Sequence, residues 1–97
     1  MINEIAKLTI DSANSEAFEQ AVATYIARFS HVPGCNTMTV EREIEDARCY
    51  YLRAQWESVE AHLAMRDTDA GRYWREHVMP FYAIPSTTVH TRALAAR

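Results

Sequence analysis

Proton transfer near neutral pH needs a group that titrates there, and histidine is the side chain whose ordinary pKa falls in that range. The chain carries His31, His62, His77 and His90. No two of them are spaced as H-x-H or H-x3-H, and Cys35 and Cys49 fall in different strand-like segments, so no metal site is expected. His62 is the leading candidate for a catalytic group, because it closely follows the aromatic run that ends at Trp56. A histidine packed under a helix and bonded to a backbone carbonyl would look the same in sequence. Trp56 offers a flat wall for a planar ligand, or plain core. Tyr50 and Leu52 share its strand parity and are expected to line the same binding surface. Further on, Tyr73, Trp74 and His77 are candidates for the roof of a pocket, Trp74 and His77 being three apart and so on one helix face. Met65 is expected to fill space in the lining. His31 is expected to face solvent beside a Pro-Gly turn, and His90 stays open between pocket and structural roles.

These residues need a frame, and hydrophobic periodicity supplies one. Ile2, Ala6, Leu8 and Ile10 alternate with Asn3, Lys7 and Thr9, which predicts a strand. Asn14 or Ser15 is the expected cap of a helix whose Phe18, Val22, Tyr25 and Phe29 recur on one stripe, opposite Glu16, Gln20, Thr24 and Arg28. Pro33-Gly34 ends it. Residues 36–43 and 47–56 alternate as two strands around a Glu45-Asp46 turn. Ser58 caps a short helix to about residue 66, Asp67-Thr68-Asp69 breaks it, and a second helical segment runs over 70–82. A last strand covers 86–94. The order β-α-β-β-α-β predicts an α+β, ferredoxin-like fold, with helices on one face of a four-stranded antiparallel sheet.

Composition narrows the class. Ten Lys+Arg against 13 Asp+Glu give a net charge of −3, and the arginines are scattered, so no nucleic-acid footprint is expected. No apolar run is long enough to span a membrane, and no signal-peptide pattern is seen at Met1. A cytoplasmic chain with reduced thiols is the expectation. At 48% hydrophobic, 97 residues carry more apolar side chains than one small core uses. A second buried sheet face, including Cys49 and Tyr51 and covered by another copy of the chain, would account for the surplus. Arg53, on that face, is expected to pair with Glu4, Glu41 or the dimer mate.

Three blocks give the chain a family likeness: Val32-Pro33-Gly34-Cys35 before a strand; Tyr51 to Ser58 followed by Glu60-Ala61-His62-Leu63; and Trp74-Arg75 with Pro80-Phe81-Tyr82 ahead of Val89-His90. Together they resemble the antibiotic biosynthesis monooxygenase (ABM) family across residues 2–94. The resemblance implies one domain over 1–97 that pairs as a homodimeric α/β barrel, with a pocket between sheet and helices in each copy. It also implies chemistry on a small aromatic molecule with O2, in some members without any cofactor.

Departures refine that expectation. Haem-degrading members use an Asn, a Trp and a His where this chain has Ala6, Met65 and Arg75, so haem is not expected. Members that oxidise polyketides to quinones carry an Asn and a Tyr where Leu52 and His62 stand, although Trp56 is kept. The expected activity is therefore a cofactor-independent monooxygenase acting on a phenolic, quinol or polyketide-like aromatic. His62 would be the base, and Arg53 would clamp a phenolate if its face lined the pocket. A non-catalytic binding protein of the same fold, or an isomerase or cyclase-like enzyme, is the alternative.

Overall fold

Alternating apolar residues can bury one side of a strand only if a partner layer covers it, and four such strands share that layer. A computed structural model describes all of residues 1–97. The strands are β1 (Ile2–Thr9), β2 (Cys35–Arg42), β3 (Cys49–Trp56) and β4 (Thr87–Thr91). They form one antiparallel sheet in the order β2-β3-β1-β4. The helices are α1 (Ser15–Arg28), α2 (Val59–Ala64) and α3 (Asp69–His77), with 3-10 turns at Ser12–Asn14, Met65–Asp67 and Met79–Phe81. The α+β, ferredoxin-like order expected from the sequence is the one formed. No helix is long and apolar enough to cross a membrane.

Local chemistry sets the boundaries, in places differently from expectation. Neither Asn14 nor Ser15 caps the first helix with its side chain. Asp11 accepts from the Ala13 backbone N–H at 2.9 Å and starts a 3-10 turn that leads into α1. Ser58 caps α2 as expected, its hydroxyl accepting from Ala61 N–H at 3.1 Å. The second helical segment is shorter than 70–82: α3 ends at His77, because Pro80 has no N–H to continue it. The last strand stops at Thr91 rather than residue 94.

One face of the sheet is covered and the other is mainly polar. The covered face splits along its length. At one end Leu8, Tyr50, Phe18 and Val22 fill the space solidly, with Phe18 and Tyr50 ring centroids 4.7 Å apart. At the other end Ala6 and Ala54 stand on the two central strands, and their short side chains leave a hollow. The outer face carries Thr37, Thr39, Arg53, Gln55, Asn3 and Lys7, with Ile5, Val89, Cys49 and a half-buried Tyr51 as its apolar part. Much of the apolar surplus therefore lines the hollow rather than the outer face. Arg53 pairs with Glu41 at 2.8 Å, both exposed; Glu4 points to the opposite face and is not its partner.

Gly34 joins α1 to the sheet at a left-handed φ of +79°, and its carbonyl accepts from Glu57 N–H at 2.8 Å. A Cβ there would meet the Ala61 methyl at 2.8 Å. Gly34→Ala therefore combines backbone strain with a clash against α2, and should cost roughly 1–3 kcal/mol. A urea titration checks this: the midpoint should fall at unchanged m, and an unmoved midpoint would show that the turn relaxes freely.

Candidate functional site

The hollow is a cavity of about 400 Å³ between the sheet and the helices. Ala6 and Ala54 are its floor, Leu52, Trp56 and Met38 its walls, and Met65, Trp74 and Tyr82 close over it. Of the side chains singled out in the sequence, it gathers Leu52, Trp56, His62, Met65 and Trp74. Tyr50 stands elsewhere. Its strand parity is that of Trp56, but it lies at the solid end, where its hydroxyl donates to Glu19 at 2.6 Å. Tyr73 also stays outside, packing α3 on α1 through Phe29 at 5.4 Å between ring centroids. His77 is exposed and stacks on Tyr73, four residues back, instead of sharing a cavity face with Trp74. A second, wider groove of about 470 Å³ runs between α1 and β2. Its polar side chains, Glu19, Arg42 and Tyr50, are already tied to one another.

The residue that sequence reading missed is Glu4. Period-two alternation puts it in phase with Ile2 and Ala6, and its cross-strand partners are Ala54 on β3 and His90 on β4. It is 7% exposed, on the apolar side of the sheet. The Trp56 indole N–H donates to its Oε1 at 3.0 Å, and His62 Nε2 lies 3.2 Å from the same oxygen. Oε2 accepts no hydrogen bond from the protein and is not fully buried, and Glu4 is part of the cavity lining. Burial pushes the Glu4 carboxyl above its ordinary value, against the pull of the Trp56 hydrogen bond and of His90 and Arg66.

His62 is held between two partners. Its ring is 5.1 Å from that of Trp56, and its Nδ1 is 2.8 Å from His90 Nε2. Burial, with the nearby His90 and Arg66, lowers its pKa to about 4. His62 is therefore neutral at neutral pH. With Glu4 ionised, Nε2 beside the carboxylate carries the ring hydrogen, so Nδ1 accepts from His90 Nε2–H. His90, which sequence left open, is thus brought to the site from an exposed strand. Glu4, His62 and His90 form a line from cavity to solvent.

Two phenols complete the lining. Tyr25 and Tyr82 are both pushed up to about 12, chiefly by burial, and so remain protonated donors. Tyr82 accepts from the Trp74 indole N–H at 2.9 Å; the Tyr25 hydroxyl has no protein partner. No three His, Cys, Asp or Glu side chains are grouped so as to hold a metal ion. Glu4, His62 and His90 contact one another in sequence instead of surrounding a common point. Arg75 donates to the Arg66 backbone carbonyl.

Comparison with known proteins agrees with this fold. The family model for antibiotic biosynthesis monooxygenases matches residues 1–77, and the chain belongs to that family. A Bordetella bronchiseptica structure, provisionally assigned as an antibiotic biosynthesis monooxygenase, superposes with a TM-score of 0.88 at 28% identity, over 97% of each chain. Similarly assigned structures share the fold at lower identity. That of Nitrosomonas europaea has a TM-score of 0.85 at 20% identity, over 98% of this chain and 100% of its own. That of Caulobacter crescentus has 0.84 at 20%, over 97% and 90%. No curated protein matches the chain.

The buried histidine has a measurable consequence. Its folded pKa of about 4 lies below the ordinary 6.5, so on acidification the unfolded chain takes up the proton first. The stability due to neutral His62 is complete above about pH 6.5 and is lost as pH falls toward 4. Glu4 acts in the opposite sense: its raised value favours the folded chain at low pH, and that contribution is lost as pH rises through the folded pKa. Denaturation midpoints measured across this window should fall less steeply for His62→Gln than for wild type. Identical slopes would mean that the ring is not desolvated.

Proposed function

We propose that this chain is a monooxygenase that oxidises a small electron-rich phenol or quinol with O2, without a cofactor of its own, as a homodimer. The observation that carries the reading is Glu4: a desolvated carboxylate with one oxygen held by Trp56 and His62, and the other free toward an aromatic-walled cavity. Such a group is a base poised for a phenolic proton. The family assignment supports oxygen as the co-substrate.

The chemistry follows from these side chains. Glu4 takes the phenol's proton, and the phenolate passes one electron to O2. The two radicals combine at the para carbon to form a C–O bond. Loss of the ring hydrogen as a proton and cleavage of the O–O bond then give a quinone and water, so that one phenol and one O2 yield one quinone and one H2O. Tyr25 and Tyr82 stay protonated and donate to the developing oxygen anions. Trp56, Leu52, Met65 and Trp74 keep the cavity dry, which protects the radical pair. His62 and His90 link Glu4 to solvent; because their hydrogens run toward Glu4 in the resting state, both rings change tautomer before the proton on Glu4 passes through His62 to His90 and out. His62 thus assists the base, and Glu4 is the group that meets substrate.

With a model naphthol as substrate and an oxygen electrode as readout, Glu4→Gln should lower kcat by about 10²–10⁴-fold with little change in KM. His90→Gln, at the solvent end of the line, should lower kcat less and make it respond to added small buffers. No O2 uptake by wild type sinks the oxygenase reading. Turnover that persists without O2 would replace it with proton-transfer isomerisation by the same base. For the dimer, light scattering after size exclusion should give twice the 11.1 kDa of the chain, and a single-chain mass at micromolar concentration would overturn it.

A further inference from the structure

Four of the nine arginines are paired with a carboxylate. Arg42, Arg48, Arg53 and Arg72 each contact a carboxylate within 3.0 Å. The two that border the cavity, Arg66 and Arg75, contact none. Arg75 donates from Nη1 to the Arg66 backbone carbonyl at 2.7 Å, which ties α3 to the Met65–Asp67 turn and brings both residues to one stretch of rim. The Arg66 guanidinium makes no hydrogen bond to protein, yet its charge is felt by both Glu4 and His62 inside the cavity. The only carboxylate lining the cavity, Glu4, lies on the sheet side and already has its donors.

An exposed cation without a protein acceptor, at the mouth of a mostly apolar cavity, is matched by an anion that arrives with the ligand. A guanidinium presents its N–H donors in a planar fork that fits a carboxylate. We infer that the substrate is a fused-ring aromatic acid, with a carboxylate on one ring held by Arg66 at the mouth, Arg75 as a second donor, and on the other ring a phenolic hydroxyl directed to Glu4 whose para carbon bears hydrogen. The inference takes its phenol from the function proposed above, but the anion contact is read by binding alone.

The probes are 6-hydroxy-2-naphthoate, with its charged and phenolic groups at opposite ends, and 2-naphthol, the same ring without the carboxylate. Each is titrated anaerobically against quenching of tryptophan fluorescence, so that failure to consume O2 does not enter the result. Wild type should bind the acid about tenfold more tightly than the naphthol, and raising NaCl from about 50 to about 500 mM should narrow that gap. Arg66→Gln should bring the two ligands to near parity while leaving the naphthol's affinity in place. Arg72→Gln, on the same helical region but outside the cavity, should keep the full preference. Equal affinities in wild type, an intact preference in Arg66→Gln, or no binding of either probe would overturn the inference.

Discussion

A carboxylate on the apolar side of a sheet must find donors or give up its charge, and much of this site is arranged around that demand. Leaving Glu4 ionised and unpartnered would cost several kcal/mol. Trp56 reaches it diagonally from β3, and His62 reaches it from α2. The position of α2 is in turn fixed by the Ser58 cap and by the close approach of Gly34 to Ala61. The partners meet on one oxygen only. That asymmetry leaves the second oxygen without a protein donor, and the role proposed for Glu4 rests on it.

The hollow in which this happens is a consequence of small side chains in central positions. Ala6 and Ala54 face the helices where Leu8 and Tyr50 do so farther along the same strands. A larger residue at either alanine would extend the solid core and erase the cavity. Gly71 acts similarly on the roof: a Cβ there would run into the backbone of Met65 and Arg66, so α3 packs closely on the turn that lines the mouth. Stability and function thus divide one sheet face, with dense packing at the Phe18–Tyr50 end supporting an under-filled end at Trp56.

Much of the frame was legible from periodicity, because strand alternation and the helical stripe record which side of each element must leave water. Leu52, Trp56, His62, Met65 and Trp74 fall in the cavity because parity and short connections leave few other places for them. Glu4 escaped because a charged residue at an inward phase reads as an exception. Strict counting from Ile2 to Ala6 was the available signal. Tyr50 shows the converse limit: parity gives a face but not the end of the strand at which a cavity opens. For His77, three-residue spacing suggested a face shared with Trp74, whereas four-residue stacking on Tyr73 and an early helix end sent it to solvent.

Sequence by itself determined the element order and the family, since these follow from local periodicity and short blocks of residues; which face of the sheet the helices cover was left to the fold. Tertiary structure alone decided that Glu4 is the buried acid, that His90 meets His62 from the far edge of the sheet, and that Arg66 stands unpaired at the mouth. The reason is physical. Desolvation, charge pairing and the meeting of side chains as far apart as Glu4 and Trp56, 52 residues, or His62 and His90, 28 residues, exist only after the chain has closed, and no spacing rule along the sequence encodes them.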